Sequence, residues 1–355
     1  MSDAGREPRR WRMVAIFILL VVSLANSSDA DDLAWALQPP SPDTLPRGFG
    51  QSMPYDPTHD RVLLFGGTDG LVPYADLWAL SLSQRAWRVL HPGGAAPEPR
   101  MGQTMVFDPS PPRMVLFGGW GWTSKGAVSY NDCWALSLGE DLAWARLQTF
   151  GKAPSPRNHH SAIYDARRNR MLVFGGGKRE VWSLSLGDKP TWTRLETVGT
   201  QPPPFEGHSA VYDARRNRIL VFGGTAGNYS PLMRVTGAPP TKTYNDVWAL
   251  SLTDPPSWAK LTPLGEPPSV RYYHAAVLDT AGDHMLVFSG GHSRGSPVSD
   301  AWSLSLGGQP QWSKLEPAGA APSPRRMHAT SLDPVRGTIW LHGGAEEGNY
   351  ESWYA

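Results

Sequence analysis

The hydrophobic and polar residues of this chain follow a pattern that repeats six times along its 355 residues. Each repeat opens with a polar segment that starts with Asp, continues through an apolar run such as VLLF or ILVF, and reaches a pair of small residues ten positions after the Asp. These aspartates are Asp56, Asp108, Asp165, Asp213, Asp279 and Asp333. Short apolar runs bounded by turn residues predict strands joined by hairpin turns, and a period near 50 residues predicts a repeat architecture.

A second block in each repeat carries an acid, one spacer and a Trp, followed by WALSL-like alternation. Its tryptophans are Trp78, Trp134, Trp182, Trp248, Trp302 and Trp353. Five repeats then open a W-x-x-L segment, at Trp87, Trp144, Trp192, Trp258 and Trp312. The alternation puts Trp and Leu on one face of a strand and Ala and Ser on the other. Each repeat therefore predicts four antiparallel strands, and the chain predicts an all-β fold.

The sixth repeat ends at Ala355 without its fourth strand. The N-terminal stretch LAWALQPPSPDTLPR, with Trp35 and Leu37, matches the sequence around the W-x-x-L strand of the other repeats. We expect this strand to complete the last blade and to close the ring, because closure hides both exposed sheet edges.

The double glycines, the Tyr-Asn-Asp block and the later Trp together resemble the kelch repeat, the galactose oxidase/kelch type of propeller. The resemblance covers residues 31–355 and implies one six-bladed β-propeller domain with four strands in each blade. Kelch propellers include enzymes and pure binding scaffolds, so the function must be sought in the loops.

Residues 1–30 read as a separate unit. Four arginines precede the apolar run MVAIFILLVVSLA and the small polar residues NSSDA, which is the pattern of a secretory signal. The apolar run is shorter than the roughly 20 residues that span a bilayer. We therefore expect a secreted or periplasmic protein with no stable membrane span after cleavage; an uncleaved N-terminal anchor is the alternative.

Charge and cysteine content narrow the function classes. Without residues 1–30 the chain has equal numbers of basic and acidic residues, so it lacks the positive field that nucleic-acid binding needs. Cys133 is the single cysteine, and no internal disulfide can form.

The repeat places the Asp-started turns, including both DARRNR copies, at one end of the ring. The last Arg of this turn recurs and suggests a cross-turn partner for the Asp. The opposite end carries the loops between the second and third strands and the Pro-Arg segments that lead into each blade. The resemblance implies that ligands bind at this second end.

The predicted binding face is uneven. The longest loop, residues 225–245, contains Tyr229, Arg234 and Lys242, and it reads as a lid or as an insertion without function. Trp120 and Trp122 lie in another of these loops, where they suit stacking on a sugar or cover a neighbouring loop.

The Pro-Arg segments place arginines at matching positions, and these are expected to pair with the recurring acids. The arginines are Arg47, Arg100, Arg157, Arg271 and Arg325. The fourth blade has Phe205-Glu206 in this place, so Glu206 is predicted to face a ligand. His160, His208, His274 and His328 also recur and read as scaffold rather than metal ligands.

We predict neither a cofactor nor a metal site. Tyr273-His274 resembles a ligand pair of copper-radical oxidases, but the required cysteine is missing, since Cys133 falls in a third strand. An alternative function is a small-sugar enzyme resembling sialic acid mutarotase, in which Glu206 and His208 supply acid/base chemistry.

The leading interpretation is an exported kelch-repeat binding module for a glycan or a protein surface. In the enzyme alternative, Arg326 or Arg179 would anchor a carboxylate. The predicted ligand-binding residues are Trp120, Trp122, Arg179, Glu206, Tyr229, Arg234, Lys242, Tyr272, Tyr273 and Arg326.

Overall fold

The computed structural model describes residues 19–23, 33–38, 48–124, 126–226, 242–292 and 295–346. In these residues the chain is all β, as predicted. The strands of the first half are β1 (Leu19–Ser23), β2 (Trp35–Gln38), β3 (Tyr55–Asp56), β4 (Arg61–Phe65), β5 (Leu77–Ser81), β6 (Ala86–Leu90), β7 (Gly93–Gly94), β8 (Thr104–Pro109), β9 (Pro112–Phe117), β10 (Trp120–Thr123), β11 (Gly126–Ser129), β12 (Cys133–Ser137), β13 (Ala143–Arg146), β14 (His160–Asp165), β15 (Arg170–Gly175), β16 (Val181–Ser185) and β17 (Trp192–Leu195).

The second half continues the same alternation of short strands and turns. Its strands are β18 (Val198–Gly199), β19 (Phe205–Glu206), β20 (Ser209–Asp213), β21 (Arg218–Phe222), β22 (Thr225–Ala226), β23 (Lys242–Thr243), β24 (Val247–Ser251), β25 (Ser257–Leu261), β26 (Ala275–Asp279), β27 (His284–His292), β28 (Gly295–Ser305), β29 (Gln311–Leu315), β30 (Ala329–Asp333) and β31 (Thr338–His342). No helix in the described part of the chain could cross a membrane.

Six sheets of this set are the blades of a propeller. In chain order, their strand orders are β3-β4-β5-β6, β8-β9-β12-β13, β14-β15-β16-β17, β20-β21-β24-β25, β26-β27-β28-β29 and β30-β31-β1-β2. In blades 1 to 5 each strand pairs antiparallel with the next one in the blade. The strands β10 and β11 form a separate hairpin, and β19, β22 and β23 form a small sheet of their own.

The sixth blade differs from the predicted arrangement. Its outermost strand is Trp35–Gln38, from the N-terminal stretch proposed for it, but the third position is taken by Leu19–Ser23. Those five residues belong to the predicted secretory signal, and their sequence LLVVS contains two β-branched valines, a residue type that favours strands. The strand expected there, around Trp353, lies outside the described residues. The predicted mode of closure and the signal peptide both remain predictions.

Packing between blades follows from the repeated Phe and Trp. The Phe that ends a second strand contacts the fourth-strand Trp of the next blade, as in Phe65–Trp144 and Phe222–Trp312, with ring centroids 5.1 and 4.9 Å apart. Trp35 makes the equivalent contact with Phe288 at 5.8 Å. The Val, Leu, Ile, Met and Phe residues of the second strands are buried, so the apolar core lies between the blades.

The Asp-started turns confirm the predicted cross-turn pairs. Arg61 Nε donates to Asp56 Oδ2 at 2.7 Å, and the same bond recurs in three further blades, as Arg113–Asp108, Arg170–Asp165 and Arg218–Asp213. The extra arginines of the turns reach the following blade. Arg216 donates two hydrogen bonds to Asp283, and Arg336 donates two to Asp60. The DARRNR arginines therefore join blades.

Candidate functional site at the ring end of the channel

One end of the central channel is encircled by backbone hydrogen bonds. Just before the innermost strand of each blade, one N–H donates to the carbonyl of the equivalent residue in the preceding blade. The six bonds are Gly50 to Met327 (2.9 Å), Met327 to Tyr273 (2.8 Å), Tyr273 to Gly207 (2.6 Å), Gly207 to His159 (3.3 Å), His159 to Gly102 (2.8 Å) and Gly102 to Gly50 (2.9 Å). We call this channel end the ring end, and the end that carries the Asp-started turns the turn end.

The ring leaves only a narrow opening, because hydrogen-bonded backbones lie about 4.7–4.9 Å apart. All six ring residues have positive φ, from 51° at His159 to 73° at Gly50. Glycine adopts this conformation without penalty, whereas His159, Tyr273 and Met327 adopt it at some cost. Side chains at those three positions partly fill the opening, and the His159 and Tyr273 rings meet at 4.8 Å. The ring and these side chains therefore close most of this end of the channel.

A buried polar layer lies directly below the ring, one residue further along each blade. Its members are Gln51, Gln103, His160, His208, His274 and His328. Some members bond to a hydroxyl of the preceding blade, as between His160 Nε2 and Thr104 Oγ1 at 2.9 Å and between His274 Nε2 and Ser209 Oγ at 2.7 Å. Burial lowers the pKa of His208 and of His328 to about 3, so both stay neutral at physiological pH.

The outer side of the ring presents two kinds of chemistry. One residue before each ring position come Phe49, Met101, Asn158, Glu206, Tyr272 and Arg326. Phe49 and Met101 pack with Ala345, Trp120 and Met327 in an apolar cluster. The remaining four are polar, and Arg326 Nη1 donates to the Tyr272 hydroxyl at 3.1 Å. The ring end is therefore divided into an apolar half, at blades 1 and 2, and a polar half, at blades 3 to 6.

Most of the predicted binding residues meet at this end. Glu206, Tyr272, Tyr273 and Arg326 belong to the ring or to its outer side, and all four are buried. The Tyr272 and Tyr273 rings touch, with centroids 5.2 Å apart.

The two predicted tryptophans lie on the apolar half. Trp120 bridges to the Met101 backbone, and Trp122 contacts the Trp120 ring at 5.3 Å with its edge while remaining 50% exposed. The pair forms a shelf beside the ring, which we call the Trp shelf.

The other predicted residues are further out. Lys242 sits two strands from Phe205 in the small sheet, with its Nζ 5.2 Å from the centre of the Tyr244 ring. Arg179 donates to the Pro202 carbonyl at 3.2 Å. Tyr229 and Arg234 lie outside the described residues.

The alignment of the six blades in the structure corrects the prediction that Glu206 takes the place of the recurring arginine. Phe205, not Glu206, occupies the Arg position, three residues before the layer residue His208. Glu206 instead aligns with Tyr272 and Arg326 on the outer side of the ring, so its place at the site follows from its position and not from a missing partner. In blade 1 the position of the recurring Arg is occupied by Gly48. The Gly48 carbonyl accepts a hydrogen bond from the N–H of Gly344 in blade 6, just as the Arg100 carbonyl accepts one from Gly67 in blade 1. Arg47 was therefore misaligned, and it lies outside the described residues.

Two of the expected Arg–acid pairs are present, whereas Arg157 donates to the Ser155 and Gly175 carbonyls and Arg325 pairs with Glu346. Arg100 and Arg271 are fully buried, and each binds its acid with two hydrogen bonds, to Asp132 at 2.6 and 3.0 Å and to Asp300 at 2.7 and 2.8 Å. Burial alone would raise the pKa of each aspartate, but the guanidinium outweighs it and the pKa lies below its usual value. These arginines hold the entry segments in place and do not face a ligand.

The sequence alone did not single out Phe49, His159 and Met327 as site residues. Phe49 is equivalent in the repeat to Tyr272 and Arg326, and His159 and Met327 are equivalent to Tyr273. The residue types differ at each of these positions. Aligning the segment between Pro-Arg and the innermost strand, blade by blade, would have found them. The described residues contain no group of three or more His, Cys, Asp and Glu side chains arranged to hold a metal ion.

Comparison with known proteins adds the family. The profile of the KLHDC2/KLHL20/DRC7 kelch-repeats domain matches residues 22–188 and 177–355. The dynein alpha chain of the flagellar outer arm of Chlamydomonas reinhardtii is 34% identical over 165 residues, which cover 42% of this chain and 3% of that protein. Serine/threonine-protein phosphatase BSL2 of Arabidopsis thaliana is 35% identical over 103 residues, which cover 28% of this chain and 10% of that protein.

A solved structure, that of YjhT, shares the fold. It superposes with a TM-score of 0.66 at 16% identity, covering 87% of this chain and 94% of that one. An identity this low supports the architecture alone. The curated relatives are far longer than the region they share with this chain, so their activities do not follow from the match.

Proposed function

The chain belongs to the KLHDC2/KLHL20/DRC7 kelch-repeats domain family, and from this premise we propose that it is a protein-interaction module that binds its partner at the ring end. The observation that supports this proposal is the division of the ring end into an apolar and a polar half. A partner segment with an apolar residue beside a polar one would match both halves at once, which is how specific interfaces combine a buried anchor with oriented polar contacts.

The Trp shelf is the anchor in this proposal. Tryptophan is over-represented among the residues that dominate binding energy, since a large rigid ring buries much area at low entropic cost. Trp122 keeps half its surface exposed and rests on Trp120, which is already held against Met101. The polar half would then fix the orientation of the partner through phenol, carboxylate and guanidinium groups.

The test uses a displayed random-peptide library selected on the whole chain. The affinity of a selected peptide is measured for the wild type, for Trp122→Ala and for Phe150→Ala. Phe150 is the matched control, since it is a similarly exposed aromatic residue away from the ring end. We expect Trp122→Ala to weaken binding about thirtyfold, the effect of a typical hot spot, and Phe150→Ala to leave it unchanged. Equal affinity for both variants would contradict the site.

A glycan is the second candidate partner, favoured by the exposed edge-to-face Trp pair, which could stack on the C–H face of a sugar. A glycan array probed with the wild type and with Trp122→Ala separates the two candidates. A glycan retained by the wild type alone would favour this candidate, whereas peptide binding without any glycan signal would reject it.

The small-sugar enzyme alternative is weaker. It needs Glu206 and His208 to reach one substrate, but His208 is buried and its ring packs on Phe205 and Phe174 at 4.5 and 5.6 Å. Anomer-exchange NMR with a sialic acid, on the wild type and on Glu206→Gln, decides it, because exchange lost in the variant would restore this alternative.

Export is part of the proposal and rests on the N-terminal sequence alone. N-terminal sequencing of protein recovered after secretory expression should show cleavage after Ser27 or Ala30; an intact Met1 would reject a cleaved signal.

A further inference from the structure

The channel contains a cavity that the proposed function does not use. It has a volume of about 360 Å³ and lies among the innermost strands, on the side of the buried polar layer away from the ring. This volume is near the lower end of the roughly 300–1,000 Å³ of typical ligand pockets. The cavity is therefore of a size for one small molecule.

The cavity opens at the turn end. All six residues of the polar layer under the ring are buried, whereas all six residues that immediately precede the turn aspartates are half-buried. The latter, which we call the rim residues, end the innermost strands at the turn end, and Leu332 also lines the cavity. They are Tyr55, Phe107, Tyr164, Tyr212, Leu278 and Leu332. The innermost strands are therefore more exposed at the turn end than at the ring end, and a molecule would enter from the turn end.

The lining of the cavity combines hydroxyl groups with apolar residues. Blades 6, 1, 2 and 3 contribute the hydroxyls of Thr330, Ser331, Ser52, Thr104 and Ser161. Blades 4 and 5 contribute only the apolar Ala210 and Val277, and the blades that carry the hydroxyls also contribute apolar residues, namely Met53, Pro54, Met105, Ala162 and Leu332. A hydroxyl both donates and accepts, so the hydroxyl groups complement another hydroxylated surface, and the apolar residues complement C–H groups.

The cavity is also uncharged. Among the described residues that line it, none is Asp, Glu, Lys or Arg. His160 is at its floor, and its pKa is lowered well below the usual value by burial first and then by the nearby Arg157, so the imidazole stays neutral. Burial raises the pKa of the rim tyrosines Tyr55, Tyr164 and Tyr212, with neighbouring aspartates adding to the effect, so these stay phenols. A charged ligand would lose its hydration here without gaining a counter-charge.

We propose that this cavity is a second binding site, open at the turn end, for a neutral polyhydroxylated molecule the size of one sugar ring. The hydroxyl groups would pair with the edge of such a ring, and the apolar lining around Ala210 would lie against its C–H face. This site is independent of the Trp shelf, which lies beyond the ring and the polar layer at the opposite end.

The experiment measures binding of glucose, galactose, N-acetylglucosamine and myo-inositol to the whole chain by saturation-transfer NMR and calorimetry. Glucuronate is the charged counterpart of glucose. We expect at least one neutral probe to bind ten or more times as tightly as glucuronate. Absence of binding by every neutral probe would overturn the proposal and leave a channel that holds solvent only. Equal binding of glucuronate would overturn the neutral class.

Three variants and a control test whether the probes bind in the cavity. Ala210→Phe fills the cavity and should abolish probe binding, whereas Ala145→Phe introduces the same side chain at an exposed position of β13 and should not. Should Ala210→Phe fail to fold, Ser161→Ala removes one hydroxyl with no added volume, and a three- to tenfold loss is expected. Trp122→Ala should leave probe binding intact. Loss in Trp122→Ala, or none in the cavity variants, would move the sugar to the ring end and overturn the site.

Discussion

The two ends of the channel are built with different bonds. At the ring end, consecutive blades are joined by backbone N–H to carbonyl bonds between left-handed residues. At the turn end, the bonds within and between blades come from side chains, such as Arg218 to Asp213 and Arg216 to Asp283. The hydrogen bonds of the ring use backbone groups that every residue carries. The bonds of the turn end need particular side chains, Arg and Asp.

This difference determines where the sequence is free to vary. Backbone bonds do not select a residue type, so equivalent ring-end positions hold residues as unlike as Phe49, Glu206 and Arg326. Side-chain bonds fix residue identity, so the turn aspartate is the same in all six blades. The variable end is therefore the one where chemistry specific to this protein can be placed.

Acidification is expected to have the largest effect, and it acts first on the ring end. Burial lowers the pKa of five histidines here, to about 4 for His159 and about 3 for His208 and His328. The unfolded chain takes up protons near pH 6.5 and the folded chain does not. The free energy of unfolding therefore has its full value above pH 6.5. It declines as the pH falls towards the pKa values of the folded state, by up to about 1.4 kcal/mol per pH unit for each histidine.

Denaturant unfolding between pH 8 and 4 measures this loss of stability. A variant then shows how much of the loss comes from one ring-end histidine. His208→Gln places at blade 4 the residue that blades 1 and 2 carry, as Gln51 and Gln103. It should reduce the slope by about 1.4 kcal/mol per pH unit and change stability little at pH 8. The exposed His91→Gln is the control. If His208→Gln leaves the slope as steep as in His91→Gln, the acid sensitivity does not come from the ring end.

A glycine of the ring should show how tightly that end is packed. Gly207 has φ of +61°, and an added Cβ would approach the Tyr273 ring to 2.8 Å. Gly207→Ala combines left-handed strain with overlap, and we expect a loss of about 3 kcal/mol in unfolding free energy.

Gly308→Ala is the matched control, with φ of +66° and no atom within 4 Å of the added Cβ. It should cost only about 1 kcal/mol, from backbone strain alone. Urea unfolding of both variants measures the difference. Similar losses in the two would mean that the ring is open enough to accept side chains, contrary to the closure described.

The smallest effect is expected at the surface of the turn end. Asp60→Asn weakens the paired bonds from Arg336 that join blades 6 and 1 and leaves the bond of Arg336 to the buried Asp333 in place; both side chains of the weakened pair are about 40% exposed. Such pairs contribute about 0.2–1 kcal/mol, and salt screens them. Lys314→Gln breaks the local pair with Glu316 and should cost less, because that pair joins no blades. The two variants are compared by thermal unfolding at low and high salt, and a larger loss for Lys314→Gln would reject a bridging role for Arg336.

Much of the fold and part of the site follow from the sequence, since both are periodic. The repeat predicts the blades and the Asp–Arg turns, and it predicts the buried pairs Arg100–Asp132 and Arg271–Asp300. The structure brings Tyr272, Tyr273, Arg326 and Glu206 together at one end of the channel, and their role in binding stays a prediction. The register of Glu206 and of Arg47 was missed, because blades 1 and 4 replace the arginine that marks the position by Gly48 and Phe205.

The sequence by itself determined what each blade needs: strand alternation, turn chemistry, and the Phe and Trp that pack between blades. These are local or nearest-neighbour requirements, and each leaves a repeated residue type. Only the tertiary structure decided the ring of six left-handed residues, the split between its apolar and polar halves, and the cavity beneath it. Those features arise when distant segments meet around a common axis. Backbone bonds and empty space leave no residue pattern in the sequence.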